Sequence, residues 1–240
     1  MPIKEKGSRI HKGWWLSGFC FFISIGLLCG VKEHDLRTEK GVEAAKTFKI
    51  VIDPGHGGKD PGKIAVNEVP EKEINLKISL LLRKELEKKG FQVLMTREED
   101  TTAVGDPAAD KGVDMAKRVE LMGVFDADIC ISIHCNSFES GKIYGPQLFF
   151  YEHSEKSAVL AGELQEMLRK RLCPDCAREK KPNTSYYILK KSPCPAVIVE
   201  CGFLSNTEEA KKLCNREYQK KVAKAIADGV WKYGILCGIL

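Results

Sequence analysis

The sequence predicts an α/β fold, a single three-layer domain whose mostly parallel, roughly six-stranded sheet is flanked by helices and preceded by one N-terminal hydrophobic helix. Short, continuously apolar segments rich in Val and Ile alternate with segments whose apolar residues recur at helical spacing. Strands that are apolar along their whole length indicate a sheet covered on both faces, as parallel sheets usually are. The 240 residues, of which 43% are hydrophobic, suffice for one buried core.

The amino-terminal part of the chain predicts export. Residues 13–31 carry no charge, follow a basic leader and precede a polar stretch. A run of this length suits either a membrane helix or the core of a signal peptide, and the basic flank keeps the amino terminus in the cytoplasm. We therefore expect a cytoplasmic leader (1–12), a membrane anchor or signal sequence (13–31), a linker (32–47) and a folded domain outside the cytoplasmic membrane (48–240).

The first half of this domain alternates strands and helices. A β-branched strand at 49–53 ends at Pro54-Gly55, and apolar residues at 74, 78, 81, 82 and 86 predict a helix that closes at Gly90. A second strand follows at 91–96. We then expect a helix at 113–125 and an apolar strand at 128–134.

The second half continues the pattern. A strand at 147–151 precedes a helix at 154–172, for which Ser154 is a plausible cap, and strands are expected at 186–189 and 196–200. Ser205 and Glu208 have the spacing of a capping box, which predicts a last helix running to about residue 231.

Charge and cysteine content exclude some classes of function. The net charge is +5, of which residues 1–12 contribute +3, so the rest is nearly balanced. No basic run interleaved with aromatics predicts nucleic-acid binding, and the Lys-rich patches near Lys88 and Lys180 are expected to be solvated surface. Cys173 and Cys176 could form half of a structural zinc site, but no second pair completes it. A local disulfide or two free thiols is favoured.

Four short motifs place metal-binding or acid-base side chains next to residues that end strands or turn the chain. They are DPGHGG with His56, PEKEINL with Glu71, SIHCNS with His134 and VECGFLSN with Glu200. In open α/β sheets such groups collect at the carboxyl ends of the strands. Two imidazoles and one carboxylate fill three positions of a tetrahedral zinc ion, and a further carboxylate can act as general base. The motifs predict a hydrolytic zinc site.

Several readings of these motifs stay open from the residues alone. Glu68 and Glu73 compete with Glu71 as a ligand, because an acidic residue in the first turn of a helix is often only a response to the helix dipole. Asp53 is a candidate to hold an imidazole in place. The DPGHGG loop could instead cradle a phosphate, but it lacks the Lys and Ser/Thr of a nucleotide-binding loop.

Taken together, the motifs resemble those of the zinc-dependent N-acetylmuramoyl-L-alanine amidases of the bacterial cell wall. DPGHGGKDPG, EKEINL, TRE at 96–98, ADICISIHCNS and PAVIVECGFLSN occur in that family's order, from about residue 49 to 231. The resemblance implies that residues 48–240 are an amidase catalytic domain. It also implies one zinc ion bound by His56, Glu71 and His134, with Glu200 as the catalytic carboxylate.

An anchored catalytic domain without a wall-binding repeat is most similar to the germination-specific amidases of endospore formers. That resemblance implies hydrolysis of the amide between muramic acid and L-alanine during cortex maturation, which leads to muramic δ-lactam. It places the domain in the forespore intermembrane space and leaves open a need for an accessory sporulation protein. Two alternatives remain: a zinc peptidase that cleaves within the stem peptide, and a non-catalytic peptidoglycan-binding scaffold.

Overall fold

A computed structural model describes residues 47–238, which build a mixed sheet of six strands. The strands are β1 (Lys49–Pro54), β2 (Gln92–Met95), β3 (Ile129–Asn136), β4 (Gln147–Tyr151), β5 (Lys181–Asn183) and β6 (Ala196–Phe203). Their order across the sheet is β2-β1-β3-β6-β4-β5, and the β4–β6 pair is antiparallel while the other four pairs are parallel. The prediction of a mostly parallel sheet is confirmed.

Helices cover both faces of the sheet. They are α1 (Glu71–Glu87), α2 (Lys111–Val124), α3 (Glu155–Leu172), α4 (Tyr187–Lys191), α5 (Thr207–Cys214) and α6 (Arg216–Leu236). The side chains of β1 alternate between the two faces: Ile50 and Ile52 join the core beneath α1, α3 and α6, whereas Val51 joins the core beneath α2 and α4. This alternation explains why the strands are apolar along their whole length and confirms the three-layer prediction.

The leader (1–12), the hydrophobic segment (13–31) and the linker up to residue 46 lie outside the described residues. Within residues 47–238, no helix combines the length and the apolar character needed to cross a bilayer.

The predicted strand at 186–189 is wrong, because these residues form the start of α4. The side-chain oxygen of Asn183 accepts hydrogen bonds from the backbone N–H groups of Ser185 (2.9 Å) and Tyr186 (2.7 Å), and this turn ends β5. Ile188 and Leu189 are then buried under the sheet as one side of a helical turn.

The prediction of one last helix capped by Ser205 is also wrong. The Asn206 side chain caps α5, whereas the Ser205 hydroxyl accepts a hydrogen bond from the Phe138 N–H at 3.0 Å. Asn215 breaks the helical run and caps α6 through the N–H groups of Glu217 and Tyr218. Cys173 and Cys176 form a disulfide, so the local-disulfide alternative is confirmed.

Candidate metal centre

The four motif residues meet at the carboxyl ends of three central strands. His56 follows β1, His134 lies near the end of β3, and Glu200 lies on β6 directly opposite His134 in the strand register. Glu71 is the first residue of α1, the crossover helix after β1. A parallel sheet brings such positions to one edge, which is where the sequence predicted a shared site.

Glu71 lies between the two imidazoles. Its Oε2 is 3.2 Å from His56 Nε2 and its Oε1 is 3.0 Å from His134 Nδ1. The two rings are edge to face, with centroids 4.9 Å apart, and one donor atom from each of the three residues lies within 4.8 Å of the others. We call this group the His-Glu-His trio.

Burial separates Glu71 from the two glutamates that compete with it in the sequence. Glu71 is 2% exposed, and its Oε1 accepts further hydrogen bonds from Cys135 N at 3.1 Å and from Asn75 Nδ2 at 3.2 Å. Glu68 and Glu73 are both exposed, and Glu73 pairs with Lys77 at 3.2 Å.

Asp60, rather than Asp53, holds the His56 ring. His56 Nδ1 lies 2.9 Å from Asp60 Oδ2, whereas the carboxylate of Asp53 is occupied by Arg118, Thr96 and Ser132. The prediction for Asp53 is therefore wrong, because its buried carboxylate oxygens already accept hydrogen bonds from other side chains. Asp60 was missed, although a carboxylate four residues after a candidate ligand was a usable signal.

Two buried arginines fasten the loop that carries His56. Arg97 donates from Nε to Pro54 O and from Nη2 to Gly55 O, each at 3.0 Å. Arg118 donates from Nη1 to Pro54 O at 2.9 Å and from Nη2 to His56 O at 2.8 Å. His56 itself has a left-handed backbone with φ of +62°, which is costly for a residue with a Cβ and persists only when its surroundings impose it.

Two positions beside the trio are glycines, because members of the trio lie too close to their backbone for a side chain. A Cβ on Gly55 would overlap the imidazole of His134, and a Cβ on Gly62 would lie 2.6 Å from Glu71 Oε2. Gly62 also has φ of +69°, in the region that glycine occupies without strain. Neither position accepts a side chain without displacing a member of the trio.

The trio is electrostatically coupled. Burial acts to raise the pKa of Glu71, but hydrogen bonds from His134 and His56 hold it well below its ordinary value. Burial acts to lower the pKa of His56, and the carboxylates of Glu71 and Asp60 together raise it. Partial burial acts to raise the pKa of Asp60, but the hydrogen bonds from His56 and from the Gly62 N–H, together with the charges of His56 and Lys111, lower it to about 2. Both carboxylates are therefore ionised at neutral pH, as metal ligands and their supports need to be.

Glu200 is a carboxylate next to the trio but not part of it. Its Oε2 is buried and has no hydrogen-bond partner within the described part of the chain. Burial, together with the charge of Glu71, raises the pKa of Glu200 to about 7, although the two histidines act to lower it. A carboxylate with a pKa near neutrality and one uncommitted oxygen is able to accept a proton and to return it.

The donor set fits a zinc ion. Two imidazole nitrogens and one carboxylate oxygen match a catalytic zinc site that keeps a fourth position open. Asp60 bonded to His56 supplies the carboxylate that usually orients a zinc-bound imidazole. Glu200 lines the same cleft as His56 and His134.

Comparison with known proteins agrees with this geometry. The family model for N-acetylmuramoyl-L-alanine amidases matches residues 50–232. The germination-specific N-acetylmuramoyl-L-alanine amidase of Bacillus subtilis is 35% identical over 91% of this chain and 94% of that protein.

Solved structures show the same relationship. The CwlD amidase of Clostridioides difficile, in complex with the GerS lipoprotein, has a TM-score of 0.74 and 36% identity over 79% of this chain and all of that chain. The amidase AmiC2 of Nostoc punctiforme has a TM-score of 0.68 and 30% identity over 78% of this chain and 96% of that one. The chain therefore belongs to the N-acetylmuramoyl-L-alanine amidase family.

Proposed function

We propose that this chain is a zinc-dependent hydrolase of the amide bond between the lactyl group of N-acetylmuramic acid and L-alanine in peptidoglycan. The observation that carries this proposal is the Glu200 oxygen that finds no partner among residues 47–238, next to the trio of His56, Glu71 and His134. An amidase of this family acts on the cell wall, which lies outside the cytoplasmic membrane. A non-catalytic scaffold has no need of a buried carboxylate left without a partner, since such a group costs stability.

The roles follow from the contacts. His56, Glu71 and His134 would hold one zinc ion, which when bound supplies a Lewis acid for the amide carbonyl and for a water molecule. Asp60 holds the His56 ring, and Arg118 holds the His56 carbonyl. Glu200 is left free to move a proton.

Glu200 acts twice on the reacting atoms. Its carboxylate removes a proton from the attacking water, and the resulting oxygen nucleophile attacks the lactyl carbonyl carbon. The protonated Glu200 then gives that proton to the nitrogen of L-alanine as the carbon–nitrogen bond breaks. The products are a muramic carboxylate on the glycan and a stem peptide with a free amino terminus.

The biological setting is proposed from the relatives. The B. subtilis relative is named as germination-specific, and the C. difficile structure is a complex with a lipoprotein. We place this chain in maturation of the spore cortex, where amide cleavage precedes formation of muramic δ-lactam. Residues 13–31 would tether or export the domain into the forespore intermembrane space, and an accessory sporulation protein is proposed as a partner.

Digestion of purified peptidoglycan tests the reaction. The zinc-loaded protein is expected to release whole stem peptides that begin with L-alanine and to leave glycan strands with free lactyl carboxylates, as measured by mass spectrometry. Glu200→Gln is expected to lose a factor of about 10² to 10⁴ in rate, since a general base contributes that much. The exposed Glu73→Gln serves as the matched control and should retain full activity.

The same digest separates the alternatives. A peptidase that cleaves within the stem would release fragments lacking L-alanine and leave L-alanine on the glycan. A scaffold would release nothing, with or without zinc and an added accessory protein. Wild-type rates in Glu200→Gln would refute the role given to Glu200.

A further inference from the structure

The cleft at Glu200 has two arms of different chemistry. A cavity of about 230 Å³ opens on one side and a cavity of about 340 Å³ on the other, and His56, His134 and Glu200 line both. We call the first the aromatic arm and the second the polar arm. The aromatic arm alone is lined by Met115, Tyr186, Tyr187, Ile188 and Ile198, together with the buried polar side chains of Asp53, Asp114, Arg118 and Ser132. The polar arm alone is lined by Gly62, Lys63, Glu71, Cys135, Asn136 and Ser137.

The aromatic arm is a fixed surface rather than a loose loop. Tyr186 and Tyr187 are 40% and 45% exposed, although both are large aromatic side chains. The Tyr186 ring packs edge to face against Phe149 of β4, with centroids 5.6 Å apart. The Asn183 side chain fixes the preceding turn through the backbone of Tyr186 at 2.7 Å. The Tyr186 ring is thus presented to the cleft at little cost in conformational entropy on binding, and Tyr187 lines the cleft beside it as the first residue of α4.

The aromatic arm offers little to a bound carboxylate. Arg118 lines it but is 1% exposed, and its guanidinium donates to Asp53, Asp114 and the His56 carbonyl. Lys111, at the junction of the two arms, is already 3.3 Å from Asp60. Among the described residues that line this arm, an anionic ligand would therefore meet apolar walls, the carboxylates of Asp60 and Asp114, and two cations that already have acidic partners.

The polar arm has the opposite character. Lys63 is exposed, and within residues 47–238 its ammonium makes no ion pair. The backbone N–H of Lys63 donates to Glu71 Oε2 at 2.9 Å, and this hydrogen bond fixes the position of the Lys63 backbone relative to the trio. Asn136 and Ser137, both partly exposed, add amide and hydroxyl groups on the other wall.

The two halves of the substrate differ in the same way. A pyranose ring is uncharged apart from its substituents and has apolar C–H faces that pack on aromatic rings, whereas the stem peptide carries carboxylates along its length. We infer that the aromatic arm binds the N-acetylmuramoyl sugar and that the polar arm binds the stem peptide, with Tyr187 and Lys63 as the respective specificity determinants. This inference rests on the proposed function, and it orients the scissile bond across Glu200.

Binding of the two reaction products to the zinc-loaded full chain tests this orientation without any turnover. Titration calorimetry would use peptide-free glycan strands and free stem tripeptide as separate ligands. Tyr187→Ala is expected to weaken glycan binding about tenfold, the value of one aromatic packing contact, and to leave tripeptide binding unchanged. Lys63→Ala is expected to weaken tripeptide binding about threefold, as for an exposed ion pair, and to leave glycan binding unchanged.

Two further variants control the experiment. Tyr187→Phe keeps the ring and should bind glycan like the wild type, and Tyr144→Ala removes an exposed tyrosine outside both arms and should change neither affinity. The inference is overturned if Tyr187→Ala weakens the tripeptide instead, if it weakens both ligands equally, or if the wild type binds no glycan. Failure of the proposed function is a separate result, since it would appear as a wild-type protein that releases no stem peptide from peptidoglycan.

Discussion

Replacing Asp53 by Asn tests whether a buried ion pair supports the candidate site. Asp53 Oδ1 accepts hydrogen bonds from Arg118 Nη1 and from Thr96 Oγ1, both at 2.7 Å, and Oδ2 accepts one from Ser132 Oγ at 2.6 Å. Asp53 and Arg118 are each 1% exposed. Asn has nearly the same shape but removes the charge and turns one acceptor into a donor.

The expected loss of stability in Asp53→Asn depends on the partners that Arg118 retains. Breaking a buried pair by removing one partner costs about 3 to 5 kcal/mol, because the remaining charge is buried without compensation. Arg118 retains Asp114 at 2.9 Å, so the lower end, about 3 kcal/mol, is expected for Asp53→Asn. Glu73→Gln, which breaks an exposed pair with Lys77, is the control and should cost less than about 0.5 kcal/mol.

The difference in unfolding free energy between the wild type and Asp53→Asn should also depend on pH. Burial acts to raise the pKa of Asp53, but the charge of Arg118 and the hydrogen bonds from Ser132 and Thr96 hold it below its ordinary value of 3.8. A carboxyl group with a lowered folded-state pKa stabilises the protein above its unfolded pKa and loses that contribution as the pH falls through the folded value. The difference between wild type and Asp53→Asn should therefore be constant from pH 7 to pH 5 and narrow below about pH 4.

Urea unfolding at several pH values measures both effects. The free energy of unfolding of Asp53→Asn should be about 3 kcal/mol lower than that of the wild type at pH 7. A loss no larger than that of Glu73→Gln, or a difference that grows as the pH falls, would refute the argument that this buried pair supports the loop of His56.

Three further outcomes are expected. Gly62→Ala places a Cβ 2.6 Å from Glu71 Oε2 at a backbone φ of +69°. The zinc affinity of this variant, measured by competition with a chelating dye, should therefore be at least about tenfold lower than that of the wild type. An unchanged affinity would argue against this contact. Replacing both Cys173 and Cys176 by Ser opens a loop with a sequence separation of 3, which should lower the free energy of unfolding by about 2 kcal/mol and leave zinc content unchanged. Removing metal with a chelator should lower Tm by on the order of 10 °C, and zinc should restore it; a chelator-insensitive Tm would show that the trio holds no ion in the folded chain.

The sequence was most informative where function depends on strand ends. His56 follows β1, and His134 and Glu200 lie in the carboxyl-terminal halves of β3 and β6. Parallel strands place such positions at one edge of the sheet whatever the details of the helices. Glu71 could not be separated from Glu68 and Glu73 by local pattern, because all three lie near the start of one helix. Only tertiary burial distinguishes them.

Long-range contacts and side-chain turns explain what the sequence patterns failed to predict. Arg97 and Arg118 donate to carbonyl groups about 40 and about 60 residues away, and neither separation leaves a local pattern. The run from Tyr186 to Leu189 has strong β-propensity, but the turn made by Asn183 overrides it. Asn215 divides the last helix because its side chain caps a new start, which a hydrophobic period does not reveal.

The zinc content of purified variants tests the central claim, that one trio holds the metal while a separate carboxylate moves the proton. Elemental analysis of the full chain should find about one zinc per chain in the wild type and in an inactive Glu200→Gln, and none in His134→Ala. Loss of zinc from Glu200→Gln, or an active His134→Ala that keeps its zinc, would contradict the account.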